Sequence, residues 1–330
     1  MNNLDKQYLD VLRRVLDDGI DRPDRTGVGS RAIWGATMDI DLSEGFPIIT
    51  HRKVALRIAF EEIMWMLRGD TNSKHLEEKK INIWKGNTSR EFLDMRELTY
   101  LPEGHIGKSY SFQWRNFGGG YKIEKIYEYL TDVVGDDGKI LVSEDAYDEF
   151  CDPFFTNARY DYTNSDGKGV DQVKVLLEGL QNDPNGRRHI ITGWNPQQLN
   201  DMALPPCHLY QQYQILNGKL NSTFVMRSAD WVYGQPYNVM GYAILNMIFS
   251  KYLGLKPGKL FSVNMDTHIY DNQITMAEDL INRTWFDLPT LNINKDLNSL
   301  EDILSLEFSD IELVKYQAHP DYKNKPKMAI

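Results

Sequence analysis

Apolar and polar residues along the chain follow the two repeats that distinguish helices from strands. Apolar residues at helical spacing or density predict helices over Tyr8 to Leu16, Leu56 to Leu67, Asp171 to Leu180 and Tyr237 to Leu253. Alternating or β-rich runs predict strands over Ala32 to Ile40 and Ile190 to Trp194, with mixed strands and loops beyond Leu253. The core should therefore contain both kinds of element.

A β-hairpin is predicted near the middle of the chain. Two alternating segments, Tyr210 to Leu216 and Leu220 to Met226, flank the dipeptide Asn217-Gly218. This dipeptide suits a type I′ turn because both of its residues accept a positive φ. The two strands of a hairpin run antiparallel, so Cys207 and Arg227 are expected at the same end of it.

The composition changes between Gly118 and Lys168. This segment is rich in acidic and aromatic residues and is interrupted by Asp-Gly, Asp-Pro and Asn-Ser turn formers. A stretch of this length with aromatic residues is not typical of a linker. We interpret it as an insertion, at about residues 118–168, that packs on a core.

The length and composition favour a globular protein. The chain has 330 residues, of which 42% are hydrophobic and 25% are charged, which suits one large domain or two modest ones. No stretch approaches the roughly 20 apolar residues of a membrane span, and Met1 to Lys6 does not resemble a signal peptide. Two cysteines, Cys151 and Cys207, are too few for a disulfide framework or a zinc site. A cytoplasmic location without metal is therefore expected.

Cys207 is the candidate nucleophile. It lies in the rigid turn Pro205-Pro206-Cys207-His208, and Arg227-Ser228 follows in the next apolar segment. A thiol attacks as its thiolate, which a nearby guanidinium favours. A lone cysteine at the start of a strand is more often buried and inert, but the neighbouring arginine favours the catalytic interpretation.

Acidic residues outnumber basic ones, and arginines recur at turn positions. The formal net charge is -10, so nucleic acid is repelled on average and is not an expected partner. Arg25, Arg187-Arg188 and Arg227 occupy turn or strand-end positions, and guanidinium groups with a hydroxyl such as that of Ser228 suit a phosphate. Any one of them is usually a surface residue. Together they favour a small phosphorylated substrate, while the Gly-rich loops of ATP and dinucleotide sites are missing from the sequence.

The predicted helix Leu56 to Leu67 carries two carboxylates among apolar residues. A solvated helix edge explains Glu61 about as well as a function does. It explains Glu62 less well, because Glu62 lies one residue closer to the Met64-Trp65 face. A functional role is therefore expected for Glu62.

The sequence resembles the thymidylate synthase and pyrimidine hydroxymethylase family through many motifs in order. The match runs from Tyr8 to Ile330 and is interrupted chiefly by the insertion. The motifs are Asp24-Arg25-Thr26-Gly27, Gly45-Phe46-Pro47, Arg68-Gly69-Asp70-Thr71-Asn72, Ile83-Trp84, Gln113-Trp114-Arg115, Asp183-Pro184 with Arg187-Arg188, Trp194-Asn195-Pro196, Met202 to His208, Arg227-Ser228 with Asp230, Gly234 and Asn238, Asp266-Thr267-His268-Ile269-Tyr270, and Met328-Ala329-Ile330. The resemblance implies an α+β fold with a mixed sheet and flanking helices. It also implies a single catalytic domain over residues 1–330 and a sheet face that forms a homodimer interface.

The resemblance implies transfer of a one-carbon unit from 5,10-methylenetetrahydrofolate to C5 of a pyrimidine nucleotide. C5 of uracil is a poor nucleophile until a group adds at C6, which a soft thiolate does reversibly. Cys207 would form that bond, with Arg227 favouring its thiolate. Glu62 would be the acid–base carboxylate, with burial expected to favour its protonated form. Tyr110 matches the tyrosine beside the departing C5 proton, and His208 is a further catalytic candidate.

The resemblance also assigns the binding residues. The nucleotide phosphate would be bound by Arg25, Arg227, Ser228, and Arg187 and Arg188 from the other subunit of a homodimer. The sugar would be bound by His268 and Tyr270. Asp230 is a candidate for binding both the nucleotide and the folate. The other residues that fall where the family binds folate are Ile83, Trp84, Tyr233, Gly234, Ala329 and Ile330. Core packing would equally explain Ile83 and Trp84.

Asn238 selects the base in this interpretation. An amide can accept from N3–H and donate to O4 of uracil, whereas cytosine-specific relatives place an aspartate at this position. A mismatched base would leave buried polar groups unpaired, at about 1–3 kcal/mol each. The expected substrate is therefore dUMP.

Four departures from the synthase pattern favour a different final step. The chain departs from the synthase motifs Trp-Asp, Gly-Pro-x-Tyr-Gly, Gln-Arg-Ser and Leu-Gly. At these places it reads, in the same order, Trp84-Lys85, Gly107-Lys108-Ser109-Tyr110-Ser111, Met226-Arg227-Ser228 and Tyr233-Gly234. They resemble phage deoxycytidylate hydroxymethylases, and hydride transfer needs a secluded folate. The sequence thus favours a phage-type deoxyuridylate hydroxymethylase, acting in the host cytoplasm. Thymidylate synthase is the alternative, supported by Pro236 and the tail Met328-Ala329-Ile330.

Two other functional classes are disfavoured. A cysteine hydrolase would need His208 beside Cys207, but adjacent residues of an extended chain point to opposite faces. A non-catalytic nucleotide- or RNA-binding paralogue would be expected to lose Cys207, Glu62 or Asn238. All three are present.

Overall fold

A mixed β-sheet organises the fold. The structure is a computed structural model that describes residues 2–120 and 169–323. Among these residues the sheet has six strands in the order β1-β2-β6-β5-β4-β3, and only β5 and β6 run parallel. The strands are β1 Ile20–Arg22, β2 Ser30–Asp41, β3 Ile190–Thr192, β4 His208–Leu216, β5 Lys219–Asp230 and β6 Lys256–Tyr270. Most of the insertion, Ala329 and Ile330 lie outside the described residues.

The helices agree with the hydrophobic pattern. Their bounds are α1 Asn3–Asp18, α2 Leu56–Leu67, α3 Lys74–Glu78, α4 Arg90–Met95, α5 Tyr110–Asn116, α6 Gln172–Asn182, α7 Gly234–Tyr252, α8 Ile274–Leu280 and α9 Leu300–Leu304. A short antiparallel ladder pairs β7 Thr290–Ile293 with β8 Ile311–Val314. The predicted helices α1, α2, α6 and α7 are confirmed, as is the α+β class. None of the helices in the described parts of the chain is both long and apolar enough to cross a bilayer.

The chain divides into two compact units. One comprises Met1–Met64, Leu176–Thr192 and Cys207–Ile330, and it contains the mixed sheet. The other comprises Trp65–Val175 and Gly193–Pro206. The expectation of a single catalytic domain over residues 1–330 stays a prediction.

The predicted hairpin is confirmed. Strands β4 and β5 pair antiparallel with Leu216 opposite Lys219. The turn residues Asn217 and Gly218 have φ angles of 51° and 70°, as a type I′ turn requires. On the inner face of the hairpin, the Phe224 ring stacks on Tyr242 of helix α7 at 4.2 Å. Burying an aromatic ring of this kind stabilises the fold by about 1.5–3 kcal/mol.

Strand β6 lies between β2 and β5, although the sequence predicted only mixed strands and loops there. Its buried face carries polar residues, so the hydrophobic alternation is weak. Ser262 Oγ accepts from Gln235 Nε2 at 2.9 Å and from Asn264 Nδ2 at 2.8 Å. Hydrogen bonding allows these polar groups to be buried at little cost, which explains why the pattern missed the strand.

The two ends of the insertion are joined. Phe117 and Val170 exchange two backbone hydrogen bonds of 2.9 Å. Next to this bridge, the buried Arg115 guanidinium donates twice to the Asp171 carboxylate, also at 2.9 Å. The chain segments on the two sides of the insertion therefore lie side by side, and the insertion itself stays a prediction. Residues 121–168 themselves lie outside the described residues.

Candidate active site

The open end of the hairpin brings Cys207 and Arg227 together, as the sequence predicted. Arg227 N donates to Cys207 O at 2.9 Å, directly beyond the pair formed by His208 and Met226. Cys207 is not in a disulfide and is partly exposed, and Arg227 is half-buried. A partly exposed thiol beside a guanidinium-bearing residue is the arrangement that nucleophilic chemistry needs.

His208 is held on helix α7 by Tyr242. Its Nδ1 lies 3.0 Å from the Tyr242 hydroxyl, and the two ring centroids are 5.5 Å apart. Burial lowers the pKa of His208 to about 4, so the imidazole is neutral at physiological pH. A neutral ring engaged by a phenol is suited to positioning, and a catalytic role for His208 stays a prediction.

The predicted sugar-binding pair lies at the end of strand β6. The His268 and Tyr270 rings meet edge to face with centroids 4.9 Å apart. His268 Nδ1 lies 3.3 Å from Asp266 Oδ1, and Arg22 donates to the same carboxylate. Burial alone would raise the pKa of Asp266, but the bonds from His268 and Arg22 lower it to about 2. The carboxylate is therefore ionised and fixes the imidazole.

Tyr270 lies among several predicted site residues. Burial is the largest cause that raises its pKa, to about 12, with Asp230 and Asp24 adding to the effect. The charge of Arg25 opposes the rise, whereas that of Cys207 adds to it. The phenol therefore stays protonated and can donate a hydrogen bond. Arg25 itself is exposed in the loop between β1 and β2.

Asp230, Gly234 and Asn238 meet where strand β5 passes into helix α7. Asp230 Oδ1 accepts from Val232 N and Tyr233 N, both at 3.0 Å. A Cβ atom added at Gly234 would lie 3.5 Å from Asp230 Cβ and 4.0 Å from Asn238 Nδ2. Asp230 and Asn238 therefore both lie next to Gly234, where a Cβ atom would make only ordinary contacts, and Ser228 lies half-buried just before them on β5.

Gln273 is a site residue that the sequence analysis missed. Its Nε2 donates to Asp230 Oδ2 at 3.1 Å, so both carboxylate oxygens of Asp230 are engaged. Asp266 was missed as well, although it shares the strand period of two with His268 and Tyr270. That spacing could have revealed Asp266, whereas no local signal points to Gln273.

Arg187 and Arg188 are exposed and precede strand β3. Ile190 pairs with Gln212, whose Nε2 donates to Arg187 O at 3.2 Å. Gln212 follows Cys207 by five residues, or about 16 Å along a strand. Within one chain, these two arginines therefore do not join Arg227 at the Cys207 end of β4.

Of the two carboxylates of helix α2, Glu62 was expected to lie closer to the buried face, and the structure reverses that order. Glu61 is buried, with 5% of its surface exposed, so it is not a solvated helix edge. Glu62 is partly exposed instead. Most of helix α2 is buried, including Glu61, and no local pattern in the sequence predicts an enclosed carboxylate at this position. The acid–base role of Glu62 stays a prediction.

Trp84 and Tyr110 belong to an aromatic cluster in the second unit. Trp84 packs on Trp65 at 5.9 Å and on the edge of Tyr110 at 5.4 Å between ring centroids. Trp84 and Tyr110 are 8% and 3% exposed, while Ile83 is half-buried. Core packing therefore accounts for Trp84, and its contact with folate stays a prediction.

The departures from the synthase pattern have local partners. Lys85 is exposed and lies 3.6 Å from Glu77, and Ser111 Oγ donates to the Asp70 carbonyl. Met226 is a core residue of β5 with 2% exposure. The Arg52 guanidinium lies over the Tyr233 ring, with the guanidinium carbon Cζ 5.4 Å from the ring centroid. Each of these residues therefore has a local contact or a buried position in its own unit.

The chain is similar to known proteins over nearly its whole length. A family model described as Thymidylate synthase matches residues 6–329. Bifunctional dihydrofolate reductase-thymidylate synthase of Paramecium tetraurelia is 36% identical over 326 residues, covering 99% of this chain and 61% of the relative. The proteins of the same name from Leishmania major and Zea mays are also 36% identical, over 98% of this chain. The chain spans 55% and 54% of those two relatives.

Within the described residues, no group of three or more His, Cys, Asp or Glu side chains could hold a metal ion.

Proposed function

The chain belongs to the thymidylate synthase family, and from this we propose that it is a one-carbon transferase that converts dUMP to dTMP with 5,10-methylenetetrahydrofolate. The observation that carries the proposal is the backbone hydrogen bond from Arg227 to Cys207, which sets the guanidinium-bearing residue beside the candidate nucleophile. The names of the relatives support the same reaction.

Cys207 starts the proposed reaction by adding its sulfur to C6 of the uracil ring, which makes C5 nucleophilic. C5 then bonds to the one-carbon unit as the bonds from that carbon to the folate nitrogens break, and the C5 proton leaves to water near Tyr110. Hydride transfer to the same carbon then expels the Cys207 sulfur, which breaks the C–S bond and releases the product. The folate supplies the methylene carbon and a hydride, so it is oxidised to dihydrofolate while the carbon is reduced to methyl. Glu62 relays protons through ordered water.

The remaining site residues hold the nucleotide in this proposal. Arg25, Arg227 and Ser228 bind the phosphate of dUMP, because guanidinium forks with a hydroxyl supply fixed donors and full charge. His268 and Tyr270 donate to the sugar, supported by the ionised Asp266 and the protonated phenol. Asn238 reads O4 and N3–H of uracil, and the aspartate of the cytosine-specific pattern is not present here.

Folate binding is assigned to Ile83, Trp84, Asp230, Tyr233 and Gly234, with Ala329 and Ile330 outside the described residues. A flat aromatic ring such as Trp84 suits stacking on a pterin. The Asp230 carboxylate is fixed by Gln273 and by two backbone amides, so it is ready to accept a hydrogen bond without further ordering.

Reductive methylation replaces hydroxymethylation as the favoured final step. The hydroxymethylase interpretation rested on four departures from the synthase pattern, and Lys85, Ser111 and Met226 have local structural roles. The relatives are named thymidylate synthases. The alternative of the sequence analysis therefore fits better than its first choice.

A homodimer completes the proposed phosphate site. Ile190, Val225, Phe261 and Val263 lie on one face of the sheet, where Phe261 is 39% and Ile190 is 37% exposed. Gln212 and Thr223 lie on the same face, and its exposed apolar residues favour burial against another surface. Arg187 and Arg188 lie just before Ile190 in the sequence. If a second copy of the chain packs on this face, the two arginines would lie at its phosphate site.

Product analysis tests the proposed function. Purified protein with dUMP and 5,10-methylenetetrahydrofolate is expected to form dTMP and dihydrofolate in equal amounts, followed by nucleotide mass and by dihydrofolate absorbance. The matched variant Cys207→Ser should form neither product. Hydroxymethylated nucleotide without dihydrofolate would contradict the proposed product, and an inactive wild-type protein would contradict the proposed function.

A further inference from the structure

Two segments of the second unit form a short antiparallel bridge. Ala203 N donates to Ile106 O at 3.0 Å, and Lys108 N donates to Asp201 O at 2.9 Å, with Gly107 opposite Met202. These residues are far apart in the chain, so the bridge is a tertiary contact. It joins the loop before Tyr110 to the segment that continues into Pro205-Pro206-Cys207.

A side-chain ion pair reinforces this bridge. Lys108 Nζ lies 2.8 Å from Asp201 Oδ2, and the two side chains are 14% and 36% exposed. The other carboxylate oxygen accepts from the Tyr100 hydroxyl at 3.4 Å. An ion pair this sheltered is less screened by solvent than a surface pair.

Lys108 stands where the synthase pattern has proline. Proline has no backbone N–H, so it could not donate the 2.9 Å bond that Lys108 makes to Asp201 O. The main chains of the two segments also lie very close here: a Cβ atom added at Gly107 would be only 2.1 Å from Asp201 O. The bond and the ion pair together can replace the rigidity that proline would supply.

The bridge lies directly before Tyr110. Ser109 Oγ donates to Leu204 O at 2.9 Å, and Gln113 Nε2 of helix α5 donates to Lys108 O at 2.7 Å. Tyr110 begins that helix with its ring edge on Trp84. A shift of the loop would therefore move the phenol.

We propose that Lys108 and Asp201 are positioning residues, whose ion pair holds Tyr110 in place for removal of the C5 proton from the nucleotide. The proposal rests on the proposed function, since it assumes that this proton leaves. A displacement of about 1 Å can slow an enzymatic step by up to about 100-fold, so a loosened loop should affect this step first.

The experiment separates proton removal from the earlier covalent step. Lys108→Met and Asp201→Asn keep the approximate side-chain size and remove the ion pair. Tritium release from 5-tritiated dUMP reports proton removal. Adduct formation with 5-fluoro-dUMP and 5,10-methylenetetrahydrofolate, followed by intact mass, reports attack by Cys207 without loss of a C5 proton.

We expect each variant to release tritium about tenfold more slowly than wild type. The KM for dUMP and the rate of adduct formation should stay within about twofold, because Cys207 and the phosphate site are untouched. The charge-exchanged pair Lys108→Asp with Asp201→Lys should recover part of the loss. Lys295→Met is the matched control, since Lys295 lies 3.9 Å from Asp310 in the other unit and outside the proposed site.

The possible outcomes are distinct. Unchanged tritium release in both variants, or adduct formation slowed as much as tritium release, would overturn the inference while leaving the proposed function intact. Wild-type protein that releases no tritium would overturn both. Thermal unfolding of every variant shows whether it is folded. If Lys108→Met does not fold, Asp201→Asn carries the test. Lys108→Arg keeps the positive charge and is expected to release tritium at a near-normal rate.

Discussion

At the scale of single residues, neighbours decide the chemical state of a side chain. His208 is adjacent to Cys207 in sequence, yet its ring is engaged by Tyr242 and its burial lowers the pKa to about 4. His105, in the second unit, is buried beside Thr71 and has its pKa lowered to about 4 by the same cause. Both imidazoles are neutral in the folded protein at neutral pH.

This burial predicts a pH dependence of stability. Because the folded pKa of His208 lies below the ordinary value of 6.5, the unfolded chain binds more protons between these values. The contribution of the buried, neutral His208 to the free energy of unfolding is thus complete above about pH 6.5, and it is lost as the pH falls towards about 4.

His208→Gln should therefore be less stable than wild type at about pH 7.5, and the deficit should shrink at about pH 5. Urea unfolding at both pH values measures it. The matched variant His105→Gln is expected to show the same narrowing. A deficit that is equal at the two pH values would contradict the argument for that residue.

At the scale of elements, two glycines with similar backbone angles have different surroundings. Gly218 in the hairpin turn has φ 70°, and an added Cβ atom there would meet nothing within 4 Å. Gly107 has φ 65°, but its Cβ atom would lie 2.1 Å from a backbone oxygen. Positive φ costs a non-glycine residue about 1–2 kcal/mol, and a backbone clash adds to that.

Gly218→Ala should consequently lower the free energy of unfolding by about 1–2 kcal/mol with little loss of activity. Gly107→Ala should cost more and should also slow the reaction, since the bridge before Tyr110 must shift. Chemical denaturation and steady-state kinetics of the pair provide the comparison. If the two substitutions destabilise the protein equally, the backbone around Gly107 can move away from the added Cβ atom at little cost.

The elements themselves were largely predictable from sequence. Helix α1 carries a repeat of 3.6, α2 and α7 are marked by their density of apolar residues, and the Asn217-Gly218 turn is a local signal. Strand β6 was not predictable, because its buried face holds Ser262 and Asn264, which are polar. A polar core face is affordable only with partners from other elements, and sequence periodicity does not report these.

At the scale of the whole molecule, the site is predicted to need two copies of the chain. Arg187 and Arg188 lie beside Gln212, away from the Cys207 end of β4. The sheet face that includes the partly exposed Phe261 and Val263 adjoins them. A homodimer through this face would supply both arginines to the site of the other subunit.

Mixing two inactive variants tests this arrangement. Cys207→Ala and the double variant Arg187→Ala with Arg188→Ala should each have very little activity. After unfolding and refolding together in equal amounts, about half of the dimers are hybrids with one intact site, so about a quarter of wild-type activity should return. If the mixture stays as inactive as its components, the arginines act within their own chain.

The sequence by itself determined the family, the main helices and the hairpin that pairs Cys207 with Arg227, because these depend on ordered motifs and on spacings of two to four residues. The tertiary structure alone decided that Glu61 is buried, that Gln273 holds Asp230 and that Lys108 pairs with Asp201. The last two contacts join residues 43 and 93 positions apart. Such pairings depend on how distant segments pack, and no local pattern of apolar and polar residues encodes that.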